Sequence, residues 1–292
     1  MATSLVLPAP AKINLFLHII GRRDDGYHLL QTLFQFLDYG DELSFELSDD
    51  LTLSCNKPEL EGSDNLIIKA GQLLQRKTGC CTGAKITLQK NLPMGGGVGG
   101  GSSDAATTLL ALNALWQLGL SMDELADTGL QLGADVPVFV RGQTAFAEGV
   151  GEVLTPVDAP ETWYLVVAPD VHVDTTRMYN HESLTRDTPP INVCAALEQS
   201  GQNDFEPLVR QLHPEIDQWL SWLSQLDTLG LARMSGSGAC VFAPFTSHRQ
   251  ATEAQHLLES MAGTKVTSFV TQGRNQSPLH KVLKKKGYPI PE

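Results

Sequence analysis

Lys12 and Asn14 stand two positions apart in Ala11–Ile19, where Ile13, Leu15, Leu17 and Ile19 alternate with Lys12, Asn14, Phe16 and His18. That alternation predicts a strand with the first set on one face and the second on the other. A cation and an amide on one face, roughly 7 Å apart at about 3.3 Å per residue, are placed to touch one substrate; a merely solvated face is the plain alternative. The second chemical stretch runs from Pro93 to Ser103, where the seven positions from Gly95 to Gly101 hold six glycines around Val98. Glycine tolerates positive φ and lets backbone N–H groups approach an anion. The helix start that follows, Ser102, Ser103 and Asp104, adds unpaired N–H groups and the positive end of a helix dipole. That order of features is a cradle for a polyphosphate.

The cradle differs from two better-known loops. A G-x-x-x-x-G-K-[ST] loop needs a lysine, and Ser102 and Ser103 follow Gly101 directly. Gly95, Gly97 and Gly100 do spell G-x-G-x-x-G, but the acids about 20 residues on, Asp123 and Glu124, fall in Ser121–Glu124, which reads as a capping box rather than a ribose-binding strand end. A flexible linker would have polar flanks, whereas a strand and an apolar helical run border this loop. Two more places stand out. Asp135 precedes Val136-Pro137 and reads as a plain N-cap or as a functional carboxylate. Ser235–Gly238 is a turn of small residues between Arg233-Met234 and an apolar strand, and an ordinary tight connection is its plain reading.

The elements that must position these residues follow from periodicity and punctuation. After the first strand come a turn at Gly21–Gly26, then Tyr27, His28 and a second strand through Phe36, then a third over Glu42–Leu47. Asp64 and Asn65 open a helix running to about Lys77 and ended by Gly79. Lys85–Gln89 is the strand that delivers the chain to the glycine loop. Behind the loop, Ala105, Leu109, Leu112 and Trp116 recur at helical spacing while Ala106, Leu110 and Leu115 fill the other sides, so that helix is expected to be deeply buried, which fixes its N-terminus. A helix over Met122–Leu132 stops at Gly133, and Thr144–Gly149 returns as strand and turn. Thr155–Pro160 reads as a seam. Beyond it come a strand at Trp163–Ala168, helices over about Ile191–Glu198 and Phe205–Leu226, a strand at Cys240–Ala243, a helix over His248–Met261 and a strand at Lys265–Thr271. The pattern is α+β in two domains, 1–157 and 158–292.

With 292 residues, 42% of them hydrophobic, the chain is long enough for two modest cores. The formal charge of −12 argues against nucleic acid or an anionic membrane as a partner, so any anion must be met by local positive potential. Five cysteines without paired spacing indicate neither a disulfide framework nor a zinc site. With no leader-like start and no long apolar run, a cytoplasmic protein is expected, as a monomer or weak homodimer.

Three segments taken together, PAKINLFL at Pro10–Leu17, PMGGGVGGGSSDAA at Pro93–Ala106 and MSGSGACVF at Met234–Phe242, closely resemble the motifs of the galactokinase, homoserine kinase, mevalonate kinase and phosphomevalonate kinase superfamily. GYHLLQT at Gly26–Thr32, LGADVPVF at Leu132–Phe139 and SPLH at Ser277–His280 resemble the branch that phosphorylates diphosphocytidyl methylerythritol. The resemblance implies a first domain like that of the fifth protein of the small ribosomal subunit, carrying ATP and the catalytic groups, and a ferredoxin-like α/β sandwich on the substrate side. It implies transfer of the ATP γ-phosphoryl group to the 2-hydroxyl of that acceptor, with small molecules as the only partners. It makes Lys12 and Asp135 catalytic and maps the ATP site onto Asn65, Lys90, Pro93, Met94, Gly95, Gly96, Gly97, Val98, Gly99, Gly100, Gly101, Ser102 and Ser103. Mg²⁺ would bridge the phosphates with Ser102 as its side-chain ligand, the protein having no metal-binding acidic cluster of its own. On the acceptor side, Asn14 and His28 match residues that hydrogen-bond cytosine, Tyr27 and Tyr179 match rings that sandwich it, and Thr175 matches another contact.

Overall fold

The long first strand, β1 (Leu5–Arg22), is buried along most of its length on both faces, so the expected polar face carrying Lys12 and Asn14 is interior rather than solvated. The computed structural model describes residues 4–198, 201–262, 266–288 and 290. Its partner β2 (His28–Ser48) runs unbroken through the two strands expected at 28–36 and 42–47. Gly40 makes that continuity possible. A Cβ there would lie 2.2 Å from the Ala9 carbonyl oxygen, so only glycine lets the two backbones meet. The pairing of β1 with β2 is antiparallel and shifts register between Pro10 and Lys12, between Asn14 and Leu17 and between Ile19 and Gly21, so the strand is re-aimed on either side of the two polar residues.

β3 (Thr52–Cys55) and β4 (Gly83–Gln89) extend the sheet beyond β2, with α1 (Leu66–Thr78) between them. α1 begins and ends where its punctuation says. The Asn65 side chain accepts from the Ile67 N–H at 2.9 Å, and Gly79 closes the helix at φ 73°. α2 (Gly100–Leu115) starts two residues before the expected serine, because Gly99 takes the N-cap at φ 73° and the glycine run itself supplies the first turn. Its residues from Ser103 to Asn113 are buried without a break, as the all-round apolar pattern requires. Each buried leucine contributes roughly 1.5–3 kcal/mol, so α2 is held by its own body and not by the loop in front of it.

α3 (Met122–Leu130) has the full Ser121/Glu124 capping box and is followed by the short α4 (Val136–Arg141). β5 (Ala145–Glu148) pairs with β2, and β6 (Val153–Pro156) with β5. The second half adds β7 (Trp163–Pro169), α5 (Thr175–Asn180), α6 (Val193–Leu197), α7 (Glu206–Leu212) and α8 (Pro214–Leu223). The single helix expected over Phe205–Leu226 is thus two, broken at His213 (φ −132°, ψ 82°), because Pro214 drives the residue before it out of the helical region. β8 (Arg233–Met234), β9 (Val241–Phe245), α9 (His248–Ala262), β10 (Val266–Arg274) and α10 (Pro278–Lys285) complete the chain. Lys265, expected to open the last strand, lies outside the described residues, as does Glu292 at the end of the expected second domain.

The ten strands form one sheet in the order β3-β4-β2-β10-β7-β9-β8, with β1 and β5 also on β2. The two halves of the sheet join through β10, whose Gly273 and Arg274 pair with Leu37 and Phe36. Three buried clusters follow from this. One lies under α1, α2 and α4 and receives Leu279 and Leu283 of α10. A second lies between β7, β9 and α7, α8 and α9. The third, with Ile13, Phe16, Val98, Val166 and Phe242, spans both halves directly behind the glycine loop.

Candidate active site

A cavity of about 590 Å³ opens along the glycine loop and is lined from both halves of the chain. The loop is built as a donor surface. Gly95, Gly97 and Gly99 take φ values of 66°, 73° and 73°. The loop's carbonyls turn inward: that of Gly96 accepts from the Cys240 N–H at 3.0 Å, that of Gly97 from the Ser235 hydroxyl at 2.9 Å and that of Val98 from the Lys12 N–H at 3.0 Å. Among the described residues, none of the N–H groups from Gly95 to Gly99 donates a hydrogen bond. Carbonyls secured and N–H groups free, ahead of a helix N-terminus, is the arrangement an oxyanion needs. The second glycine turn is what the loop rests on: a Cβ at Gly97 would stand 2.1 Å from the Ser235 carbonyl oxygen.

Lys12 and Asp135 meet at the cavity wall. Lys12 Nζ lies 3.2 Å from Asp135 Oδ2 and donates to Asn14 Oδ1 at 2.5 Å, over the ring of Phe34. The lysine is buried, whereas the aspartate side chain is 35% exposed. Although Asp135 occupies the N-cap position of α4, its side chain makes no capping hydrogen bond, so the plain-cap reading does not describe it. Asn14 is itself held, its amide nitrogen donating to the Thr32 hydroxyl at 2.8 Å, so its oxygen is aimed at the lysine. A buried cation bound to one carboxylate that faces the cavity can orient a hydroxyl and balance charge gathering on a transferred group.

Lys90 lines the cavity, but its Nζ is taken by two aspartates, Asp41 at 2.6 Å and Asp104 at 2.8 Å. Asp41 also accepts from the N–H groups of Asn91 and Leu92, fixing the approach to the loop. Burial pushes the Asp104 carboxyl up to about 7, opposed by the charge of Lys90 and reinforced by that of Asp41. Burial works against the charge on Lys90, and the pull of Asp104 and Asp41 outweighs it and holds the ammonium above its usual range. A Cβ at Gly100 would come 3.0 Å from Lys90 Nζ, so the ion cluster sits directly under the first turn of α2.

At the other side Thr175 shares a 2.6 Å hydrogen bond with Ser237, and Tyr179 stacks on His28 with ring centroids 4.8 Å apart. Burial, and then the charge of Asp135, push the Tyr179 phenol up to about 12. His28 is buried and held below its usual range by burial and then by Arg186 and Arg22. Of the residues singled out in the sequence, Lys12, Asn14, Asn65, Lys90, Pro93 to Ser102, Asp135, Thr175 and Tyr179 line the cavity. Three do not: Ser103 is buried inside the first turn of α2, His28 lies behind Tyr179, and Tyr27 is 64% exposed in the turn before β2.

The first half matches the GHMP kinases N terminal domain over residues 65–143, and the second matches GHMP kinases C terminal over residues 187–262. The chain is 53% identical over 281 residues, 96% of its length and 97% of the relative's, to 4-diphosphocytidyl-2-C-methyl-D-erythritol kinase of Pseudomonas syringae pv. syringae. It is 51% identical over 290 residues to the protein of that name in Marinobacter nauticus, covering 97% and 99% of the two chains. The chain belongs to the GHMP kinase family. Among solved structures, a crystal structure of 4-(cytidine 5'-diphospho)-2C-methyl-D-erythritol kinase superposes with a TM-score of 0.79 at 33% identity, covering 92% of this chain and 99% of that one. A homoserine kinase from Cytophaga hutchinsonii shares the fold at a TM-score of 0.66 and 18% identity, over 95% and 97% of the two chains.

As a GHMP kinase the chain is a small-molecule kinase that uses ATP. No group of three His, Cys, Asp or Glu among the described residues is gathered to hold a metal ion. Mg²⁺ takes one or two protein oxygens and completes its shell with phosphate and water, and the Ser102 hydroxyl, lining the cavity at the head of α2, suits that modest demand. Sequence reasoning missed Asp41 altogether, and it gave no site role to Thr32, Asp104 or Ser235 although each falls within a quoted motif. All four act on other site residues, and only their placement opposite Asn14, Lys90 or the loop reveals what they do. No helix among the described residues is long and apolar enough to cross a membrane.

Proposed function

We propose that this kinase transfers the γ-phosphoryl group of ATP to the 2-hydroxyl of 4-diphosphocytidyl-2-C-methyl-D-erythritol, a step in isoprenoid precursor synthesis. The observation that carries the reading is the Lys12–Asp135 pair set against a loop whose free N–H groups face the same cavity. Relatives more than half identical along nearly the whole chain bear the name of that activity, which supports the choice of acceptor.

In this reading Gly95 to Gly101 and the first turn of α2 hold the phosphates, with Pro93, Met94, Val98 and Ser103 shaping that loop and Asn65 and Lys90 on the nucleoside side. Asp135 accepts a hydrogen bond from the acceptor hydroxyl and takes its proton late, while Lys12 orients the carboxylate and offsets charge on the transferred group. A tertiary hydroxyl is a weak nucleophile, so alignment with the γ-phosphorus contributes more than proton removal. Mg²⁺ would be held by Ser102 together with nucleotide oxygens, supplying charge neutralisation across the phosphates. Tyr27, His28, Asn14, Tyr179 and Thr175 would hold the cytidine end. A monomer or weak homodimer is the working unit in this reading.

The test is ADP release with Mg·ATP and, in parallel, diphosphocytidyl methylerythritol, homoserine, mevalonate, galactose or no acceptor. Turnover with the first alone is expected. Preferential turnover with any of the others would refute the proposed acceptor.

A further inference from the structure

Arg186 lies between α5 and α6, outside every motif. Its guanidinium makes four hydrogen bonds behind Tyr179, which lines the cavity: Nε donates to His28 Nε2 at 3.2 Å, Nη2 to the carbonyl oxygens of Tyr179 and His181 at 2.9 and 2.7 Å, and Nη1 to that of Leu184 at 3.0 Å. A guanidinium has no lone pair to offer and does not give up its proton. The nitrogen it donates to must therefore be the bare one. His28 Nε2 carries the lone pair, and in the neutral ring the hydrogen sits on Nδ1. Nδ1 makes no hydrogen bond to any described residue, and it is not sealed in the core as His18 Nδ1 is. The ring lies flat on Tyr179, 27° from parallel. The other charged group beside it is Arg22, its cross-strand partner in β1, which also opposes a second proton.

We infer that Arg186 is a positioning and specificity-determining residue. By fixing His28 as the Nδ1–H form and tying down the backbone of Tyr179, it turns the stacked imidazole into a single aimed donor. A pyrimidine whose ring nitrogen N3 is a bare acceptor, as in cytosine, satisfies that donor. A uracil edge presents N3–H to it and leaves two donors facing each other, the arrangement that costs most in a buried site. The choice of ligand rests on the diphosphocytidyl reading; the tautomer does not.

The first measurement is nitrogen-15 NMR of the histidine ring in the wild-type protein at neutral pH, assigned with His28→Gln. A proton on Nδ1 and a bare Nε2 is expected, whereas an Nε2–H or doubly protonated ring overturns the inference. The second compares Arg186→Met and Arg186→Lys with cytidine- and uridine-diphosphate forms of the acceptor. Arg186→Met should raise KM for the cytidine form about tenfold, hold KM for ATP within about twofold and narrow the preference for cytidine over uridine. Arg186→Lys, which keeps a donor, should restore part of that preference. An equal loss on both acceptors, or an equal rise in KM for ATP, would mean that Arg186 only holds the fold together. Because the tautomer is read without substrate, an inactive protein with the Nδ1–H ring counts against the proposed function alone, and an active one with the Nε2–H ring against this inference alone.

Discussion

Asp135 has two possible duties at the head of α4, capping a helix or meeting a substrate, and its contacts separate them. It makes no cap bond and pairs with a lysine from the other end of the domain. Replacing it with asparagine removes the proton acceptor while keeping size and hydrogen-bonding reach. Asp135→Asn should therefore lower kcat by about 10²–10⁴ and leave KM for ATP nearly unchanged. The side chain is more than a third exposed, so the thermal midpoint should move little. Steady-state kinetics beside a thermal melt decides it: turnover within a few-fold of wild type would reduce Asp135 to a residue that merely begins a helix. The sequence supplies the type of this residue and its offset from Pro137. It does not show the partner, because Lys12 lies far from it in the chain and meets it only in the folded structure.

α4 is too short to hold Asp135 by itself, and its far end is clamped by α10. His280 Nε2 lies 2.8 Å from the Val140 carbonyl oxygen, the Ser277 N–H donates to Gly142, and a Cβ on Gly142 would strike the imidazole at 2.4 Å. Burial lowers the His280 pKa from 6.5 to about 4, with the bond to Val140 opposing and Lys284 assisting. The folded pKa lies below the unfolded one, so between them the unfolded chain binds a proton that the folded one does not. Stability from this group is fully present above about pH 6.5 and is lost as pH falls through about 4, by up to about 3 kcal/mol. His280→Gln should lose less stability than wild type between pH 7 and 4.5 in urea unfolding, even where it is less stable at pH 7; equal losses would show that another group sets the acid limb. Local punctuation at this scale was legible: Asn65 and Gly79 for α1, and Ser121 with Glu124 for α3, lie within a few residues of what they control. The α7–α8 break was misread as one helix over Phe205–Leu226, although Pro214 marks it. What the sequence concealed was pairing at long range, such as Asp41 beneath Lys90 or α10 returning to the first core, where no residue carries its partner's address.

At the scale of the molecule, we propose the division at 157/158 between β6 and β7, yet neither half closes the cavity alone. Lys12, the glycine loop and Asp135 come from the first, while Thr175, Tyr179, Phe205 and Gly236 to Gly238 come from the second. They join at the phosphate cradle through Gly97 against Ser235 and Gly96 against Cys240. Nucleotide at about 100 times its Kd should stabilise the protein by about 2.7 kcal/mol and raise the thermal midpoint by about 5 °C. In Gly97→Ala the new methyl group cannot coexist with the Ser235 carbonyl oxygen at 2.1 Å, so the loop must leave the turn and turn its N–H groups away from the cavity. The midpoint without nucleotide should fall somewhat, since alanine at φ 73° is strained, but the ATP-dependent rise should nearly vanish. Gly119→Ala separates the two effects. It carries a similar strain at φ 67° with nothing within 4 Å of the added carbon, so it should lower the midpoint while keeping the full ATP response. If Gly97→Ala responded to ATP as Gly119→Ala does, the cradle would be assembled within the first half and the second would serve the acceptor alone.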